Sequence, residues 1–381
     1  MMKLCLFLTY GMSLERWDQL GILERELALY EKLAGLGVRI SLFTYGNQKD
    51  LSYETRFPSF KIFPAYADLR KPSSRVVRFF QSLGFAKRYK TFFEEHDLFK
   101  TNQLWGVWIP LQVQKMLKKP LIFRAGYEAY LFAILGKSPR LVKVVTYFFS
   151  RKAYRQASAV IFSSHSAKQF AERTFKVDAS KIYVIPNAVH FDSIPDESLP
   201  PSNRTLAIGR LEKQKNLFNA ISAAAMTSTG LDILGEGSLK KDLQRFAEET
   251  KADVQFFDRV PHHEILKKIQ QSSFCLLSSL YEGSPKVLLE MMACGKAVVA
   301  TRVSGIEEII QSGITGILTG TSAEEIAQGM RPMIQSPELC REMGDRARRY
   351  AKEHFSLEVL KDREYQLYQS LIEKKDLAVA L

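Results

Sequence analysis

Residues 278–301 read Ser-Ser-Leu-Tyr-Glu-Gly-Ser-Pro-Lys-Val-Leu-Leu-Glu-Met-Met-Ala-Cys-Gly-Lys-Ala-Val-Val-Ala-Thr. The apolar run 274–277 just before them has the length of a buried strand. Glu282 and Gly283 then fall in a loop at that strand's C-terminal end, where open α/β sheets place their ligands. Ser284 is a favourable N-cap and Pro285 a favourable first helical residue, which predicts a helix over 285–294. The N–H groups at the start of such a helix point at the loop and favour an anion. Glu290 lies about two turns in, Gly295 ends the helix, and 297–300 is the next buried strand. Two acids eight residues apart would alone describe a capped surface helix. The order of strand, Glu-Gly loop, capped helix, Gly and strand turns them into a candidate site.

The same alternation continues outward. Strands are predicted at 205–208, 231–234 and 254–256, separated by helical patterns at 217–226, 239–249 and 263–271. An earlier series has strands at 3–9, 38–44, 121–123, 159–162 and 183–185, with an amphipathic helix over 20–36. Pro186-Asn187 breaks the pattern, and 192–203, rich in Pro, Ser and Asp, reads as a linker. Alternating strands and helices imply parallel sheets built by right-handed crossovers. Two such series within 381 residues predict two doubly wound domains, followed by a last helix over 357–374.

Hydrophobic residues make up 46% and charged residues 25%, the balance of a folded protein. The net charge of +13 is unevenly placed. Arg70, Lys71, Arg75, Arg78, Lys87, Arg88 and Lys90 lie between Leu69 and Phe93 with no acid, interleaved with Phe79, Phe80, Leu83 and Phe85. Between Lys115 and Arg155 there are ten basic residues and one acid, Glu128. Such a surface suits an anionic lipid membrane or an anionic saccharide, and a solvated helix face accounts for it equally. Nucleic acid fits less well, because no recognised binding module is visible.

Cys5, Cys275, Cys294 and Cys340 have no metal spacing and read as buried free thiols in a reducing compartment. The apolar start at residues 1–8 is too short for a signal peptide and reads as a first strand. No apolar run is long enough to span a bilayer. A cytoplasmic location is expected, with peripheral contact at the inner face of the membrane.

The stretch around Glu282 and Glu290 resembles the E-x7-E region of the retaining glycosyltransferase family 4, of GT-B fold. Ile185-Pro186-Asn187-Ala188-Val189 resembles that family's I-P-N-G-V segment, with Ala188 in place of Gly. Ile208-Gly209-Arg210-Leu211-Glu212-Lys213-Gln214-Lys215-Asn216 resembles its G-R-x4-K segment, and Leu234-Gly235-Glu236-Gly237 its G-x-G turn. The segments 303–310 and 312–316 are similar to those that close its C-terminal domain. The likeness is specific from about residue 160 to 320.

The resemblance implies an α/β chain with two facing Rossmann-like domains. These are an acceptor-side domain over 1–188, a nucleotide-sugar-binding domain over 189–355, and a helix over 356–381 returning to the first. It implies a hexosyltransferase-like enzyme that moves a sugar, with retention, from a nucleotide-diphosphate donor to a saccharide or lipid-linked acceptor. Arg210 and Lys215 would hold the diphosphate, where fixed cations stabilise charge that grows as the glycosidic bond breaks. Glu282 would face the sugar hydroxyls and Glu290 the ribose. Gly209, Gly283, Ser284, Pro285, Lys286 and Val287 would line the phosphate or sugar, Val260 the base, and Gly11, after the first strand, the donor phosphate. Relatives carry a His where this chain has Arg124-Ala125-Gly126-Tyr127, so Arg124 or Tyr127 is expected on the acceptor side. Trp105 borders the cleft or is core, and His262 and His263 are expected to be solvated.

A nucleotide-sugar epimerase, a phosphorylase on the same fold and a non-catalytic subunit of a glycan assembly are the competing readings. The chain contains no Asp-x-Asp pair to bridge a diphosphate through a metal, and cations can take that role. No cofactor and no metal ligand is therefore expected. Turnover should persist in EDTA; loss of activity that Mn²⁺ restores would contradict this.

Overall fold

The computed structural model describes residues 1–195 and 202–379, with side chains up to Glu373. Residues 196–201 of the expected linker lie outside the described residues. Contacts divide the chain into a first unit, Met1–Pro186 with Leu360–Leu381, and a second, Asn187–Val359.

Among the described residues the first unit holds seven parallel strands: β1 (Lys3–Phe7), β2 (Arg39–Thr44), β3 (Phe60–Pro64), β4 (Leu98–Thr101), β5 (Leu121–Ala125), β6 (Ala159–Phe162) and β7 (Ile182–Val184). Their order is β3-β2-β1-β4-β5-β6-β7. The second unit holds β8 (Thr205–Ile208), β9 (Leu231–Leu234), β10 (Val254–Phe257), β11 (Cys275–Leu277), β12 (Val298–Thr301) and β13 (Ile317–Thr319), in the order β10-β9-β8-β11-β12-β13. All pairings are parallel, as the alternation predicts. All four cysteines are buried and free.

Three strands escape the sequence pattern. β3 carries Lys61 and ends in Pro64, which only an edge strand tolerates easily. β13 is a three-residue edge strand. β4 reads Leu-Phe-Lys-Thr, and its Lys100 breaks the apolar run although it is fully buried.

Lys100 is buried because an acid meets it. Glu364, on the helix Leu357–Val379, accepts from Lys100 Nζ, from Tyr368 Oη and from Arg124 Nη1 at 3.1 Å. Arg124, at the end of β5, also donates to the Pro186 carbonyl at 3.1 Å. The sequence offers Arg124 or Tyr127 for the acceptor side; the structure draws Arg124 into this buried cluster. Burial lowers Lys100 to about 8 despite the carboxylate beside it. Burial would raise Glu364, but Lys100 and then Arg124 overcome it and hold this carboxyl below its ordinary 4.5. One carboxylate facing two cations is better compensated than either cation is.

Removing Glu364 takes away the carboxylate that both Lys100 and Arg124 face. Glu364→Ala should cost about 3–5 kcal/mol in urea unfolding. A carboxyl held below its unfolded value stabilises above that value and loses the effect as pH falls. The wild type should therefore weaken below about pH 4.5 more steeply than the variant does.

Candidate functional site

In the second unit the strand order runs outward in opposite directions from β8 and β11. Such a reversal opens a crevice at the C-terminal ends of the strands, and the loops after β8, β9, β11 and β12 border it. The backbones there approach closely. A Cβ on Gly235, after β9, would sit 1.9 Å from the Gly209 carbonyl oxygen after β8. Gly305, after β12, has φ +83, and its Cβ would meet the Gly283 oxygen at 1.9 Å. Both contacts require glycine.

Lys215 ends a short 3-10 turn, Lys213–Lys215, that follows β8. Its Nζ donates to Glu282 Oε1 at 2.5 Å, and Ser279 Oγ donates to the same oxygen at 2.7 Å. The side chains of Lys215 and Glu282 are 13% and 9% exposed, so the pair is shielded but not sealed. The two loops are stitched beneath it. Ser278 Oγ donates to the Lys215 carbonyl at 2.7 Å, Leu280 N to Gln214 O at 2.8 Å, and Gln214 Nε2 to Tyr281 O at 2.9 Å. Arg210 is exposed, and its Nη2 lies 3.4 Å from Gln214 Oε1. Burial raises the Tyr281 phenol, with Arg210 drawing it back.

The helix after the Glu282 loop runs Lys286–Ala293. Pro285 occupies its N-cap without a side-chain cap bond, so Ser284 is not the cap the sequence predicts. Asn187 holds Ser284 instead: its Nδ2 donates to the Ser284 carbonyl at 2.6 Å, and its N–H to Ser284 Oγ at 3.3 Å. Glu290 is the fifth helical residue, a little over one turn in, and not about two turns in as the sequence predicts. The C-terminus closes as expected, with Gly295 at φ +72 and bonds from Gly295 N to Met292 O and Lys296 N to Met291 O.

Glu290 is buried, and His262 Nε2 lies 3.0 Å from its Oε1. His262 opens the helix His262–Gln271, and its imidazole is largely covered. The expectation that it is solvated fails here. His263, paired with Glu264, is exposed as expected. No local pattern marks His262 as a partner of Glu290; a His at the first turn of a helix after an edge strand is the one available hint.

Gly209, Arg210, Lys215, Glu282, Gly283, Ser284, Pro285, Lys286, Val287 and Glu290 thus lie on loops or on the first helical turns after β8 and β11. Val260 precedes the His262 helix and packs half-buried on the core of this unit. Gly11 lies in the first unit, at φ +83 after β1. There Tyr127 lies tilted against Phe132, with ring centroids 4.9 Å apart, and Trp105 is 37% exposed, so it is not core.

The family described as Glycosyl transferases group 1 matches residues 192–350, and the one described as Glycosyltransferase Family 4 matches residues 27–193. The two matches together run from residue 27 to residue 350 and mark the chain as a glycosyltransferase of the family 4 kind. A relative in Campylobacter jejuni, N-acetylgalactosamine-N,N'-diacetylbacillosaminyl-diphospho-undecaprenol 4-alpha-N-acetylgalactosaminyltransferase, is 26% identical over 63% of this chain and 72% of its own length. Alpha-maltose-1-phosphate synthase of Mycolicibacterium smegmatis is 27% identical over 60% of this chain and 67% of its own. Among solved structures, sucrose-phosphate synthase from Thermosynechococcus elongatus superposes with a TM-score of 0.80 at 18% identity, covering 98% of this chain and 100% of that one. Anabaena HepE in complex with UDP and glucose gives 0.77 at 17%, covering 97% and 100%. The fold is that of the GT-B glycosyltransferases.

Within this glycosyltransferase, Lys215 and Glu282 couple two loops that are distant in sequence. Lys215→Met and Glu282→Gln should be non-additive in urea unfolding, by about 0.5–3 kcal/mol in a double-mutant cycle. Strict additivity would mean that the pair does not persist in solution.

Proposed function

We propose that this glycosyltransferase moves a sugar from a nucleoside-diphosphate donor to a saccharide or lipid-linked acceptor with retention of configuration, the donor being bound at the β8/β11 crevice. The observation that carries the reading is the set of charges there: Lys215 against Glu282, Arg210 at the rim, and Glu290 buried beside the start of a helix that no side chain caps. The undecaprenol-linked substrate named for the Campylobacter relative and the UDP and glucose named for HepE support a donor and an acceptor of these classes.

In this reading Glu290 accepts from the ribose hydroxyls, with His262 fixing the carboxylate through its other oxygen. The helix N-terminus and the loop amides from Gly283 to Val287 meet the diphosphate or sugar. Lys215 is positioned by Glu282 before the donor arrives. As the glycosidic bond breaks, negative charge accumulates on the leaving diphosphate, and Arg210 and Lys215 stabilise it more in the transition state than in the ground state. Glu282, relieved of part of its claim on Lys215, faces the sugar hydroxyls. Cations in these positions make a bridging metal unnecessary.

Donor hydrolysis measured over UDP-, GDP- and ADP-sugars identifies the donor, and two variants then test the roles. Ribose hydroxyls do not change during transfer, so Glu290→Gln should mainly raise KM for the donor, by about 10- to 150-fold for a charged hydrogen bond. Arg210→Ala should lower kcat as well, by about 10²–10³-fold. Thermal melts should show both variants folded. A pure KM effect in Arg210→Ala with loss of kcat in Glu290→Gln would reverse the roles, and no effect in either would remove the donor from this crevice.

A further inference from the structure

Two helices of the first unit carry apolar side chains outward. On Arg75–Ser82, Val76 is 64% exposed, Val77 52% and Phe80 65%, and Leu83 at its end is 36% exposed. At 100° per residue these side chains form one stripe, on a helix that would ordinarily turn such a stripe inward. On Arg140–Gln156, Leu141, Val144 and Phe148 are 72%, 50% and 61% exposed. They recur at spacings of three and four, and the opposite face, Thr146, Ser150, Ala153 and Tyr154, is buried in the core. This second helix therefore has two apolar or neutral faces, of which the fold uses one.

The two helices are neighbours. Phe79 and Phe149 pack on the same indole, Trp108, with ring centroids 5.1 and 5.7 Å away, so the helices that carry Phe80 and Phe148 meet across that ring. Around them the charge has a single sign. Residues 69–93 and 129–156 contain no Asp or Glu. Arg75, Arg88, Lys137, Arg140, Lys152 and Arg155 are exposed there. On the helical wheel of 140–156, Arg140 and Lys152 lie on either side of the Leu141–Phe148 stripe, and Arg155 continues its line about two turns beyond Phe148.

We infer that this face is a membrane-binding surface, which lays the two helices in the interfacial region of an anionic bilayer. A bilayer meets both halves of the pattern at once. Phe80, Leu141 and Phe148 reach the acyl boundary, and the surrounding Arg and Lys side chains meet phosphate headgroups. A solvated helix face explains the cations but leaves seven exposed apolar side chains on two neighbouring helices without a role. No helix among the described residues is long and apolar enough to cross a membrane, so the attachment is peripheral to the lipid at this face. The inference does not depend on the sugar-transfer reading.

Sedimentation of the full chain with vesicles tests it, comparing pure phosphatidylcholine with an equal mixture of phosphatidylcholine and phosphatidylglycerol, each at low and high salt. The wild type should bind the anionic vesicles, and added salt should weaken binding. Phe80→Ser with Phe148→Ser should reduce the partition coefficient at least about tenfold. Arg140→Glu with Arg155→Glu should remove the preference for anionic lipid. Unchanged melting temperatures and unchanged donor hydrolysis without lipid would separate these effects from misfolding and from the active site. Equal binding to both vesicle types, no loss in the Phe variant, or lipid-free self-association that the Phe variant abolishes would each overturn the inference. The last outcome would assign the face to a second copy of the chain.

Discussion

β8 pairs in parallel with β9 on one side and β11 on the other, and the chemistry of the second unit depends on that pairing. When every strand of a sheet runs the same way, every C-terminal end lies on the same edge, and the chain returns each time through a helix. The loops and the helix start that carry Arg210, Lys215, Glu282 and Glu290 therefore share one edge although up to 80 residues separate them. The loops are held close because Gly209 and Gly235 bring backbone against backbone, which a side chain at Gly235 would prevent. Lys215 and Glu282 then bridge the two sides of the crevice with a pair that water still reaches.

Buried charge serves different ends in the two units. Around Glu364 the ions are sealed, with Lys100 and Glu364 at 0% exposure, so every lone pair and proton must find its partner inside the protein. Such a cluster fixes the C-terminal helix against the sheet of its own unit and has little freedom to rearrange. The Lys215–Glu282 pair is stitched below by backbone and side-chain hydrogen bonds but open above. A charged ligand can displace one member without stranding the other in a dry core. The basic stripes on the first unit are a third case: exposed cations, whose field reaches a charged surface but which each contribute little to folding.

Periodicity alone makes much of this molecule legible. Apolar runs of strand length, helical spacing between them, and the Glu-Gly-Ser-Pro and Cys-Gly punctuation around 282–295 identify a doubly wound α/β chain and the loop that matters most in it. Those signals are local: they depend on propensity, capping and turn chemistry within a few residues. They fail where a local rule is broken for a distant reason. β4 is hidden because Lys100 sits in it, and Lys100 is tolerable there only because Glu364 arrives from 264 residues away. Ser284 has the composition of a cap, yet Asn187, 97 residues earlier, claims it.

The sequence by itself determined the fold class, the alternation of strands and helices, the glycines at the crevice and the residue types available for binding a diphosphate. The tertiary structure decided their partners. It drew Arg124 into a buried cluster, set Lys215 on Glu282, seated His262 on Glu290, and turned the apolar faces of 75–82 and 140–156 outward. The physical reason is that strand and helix formation is governed by neighbours along the chain. Pairing of charges and exposure of a face are governed by neighbours in space, which the crossovers between strands bring together from distant parts of the sequence.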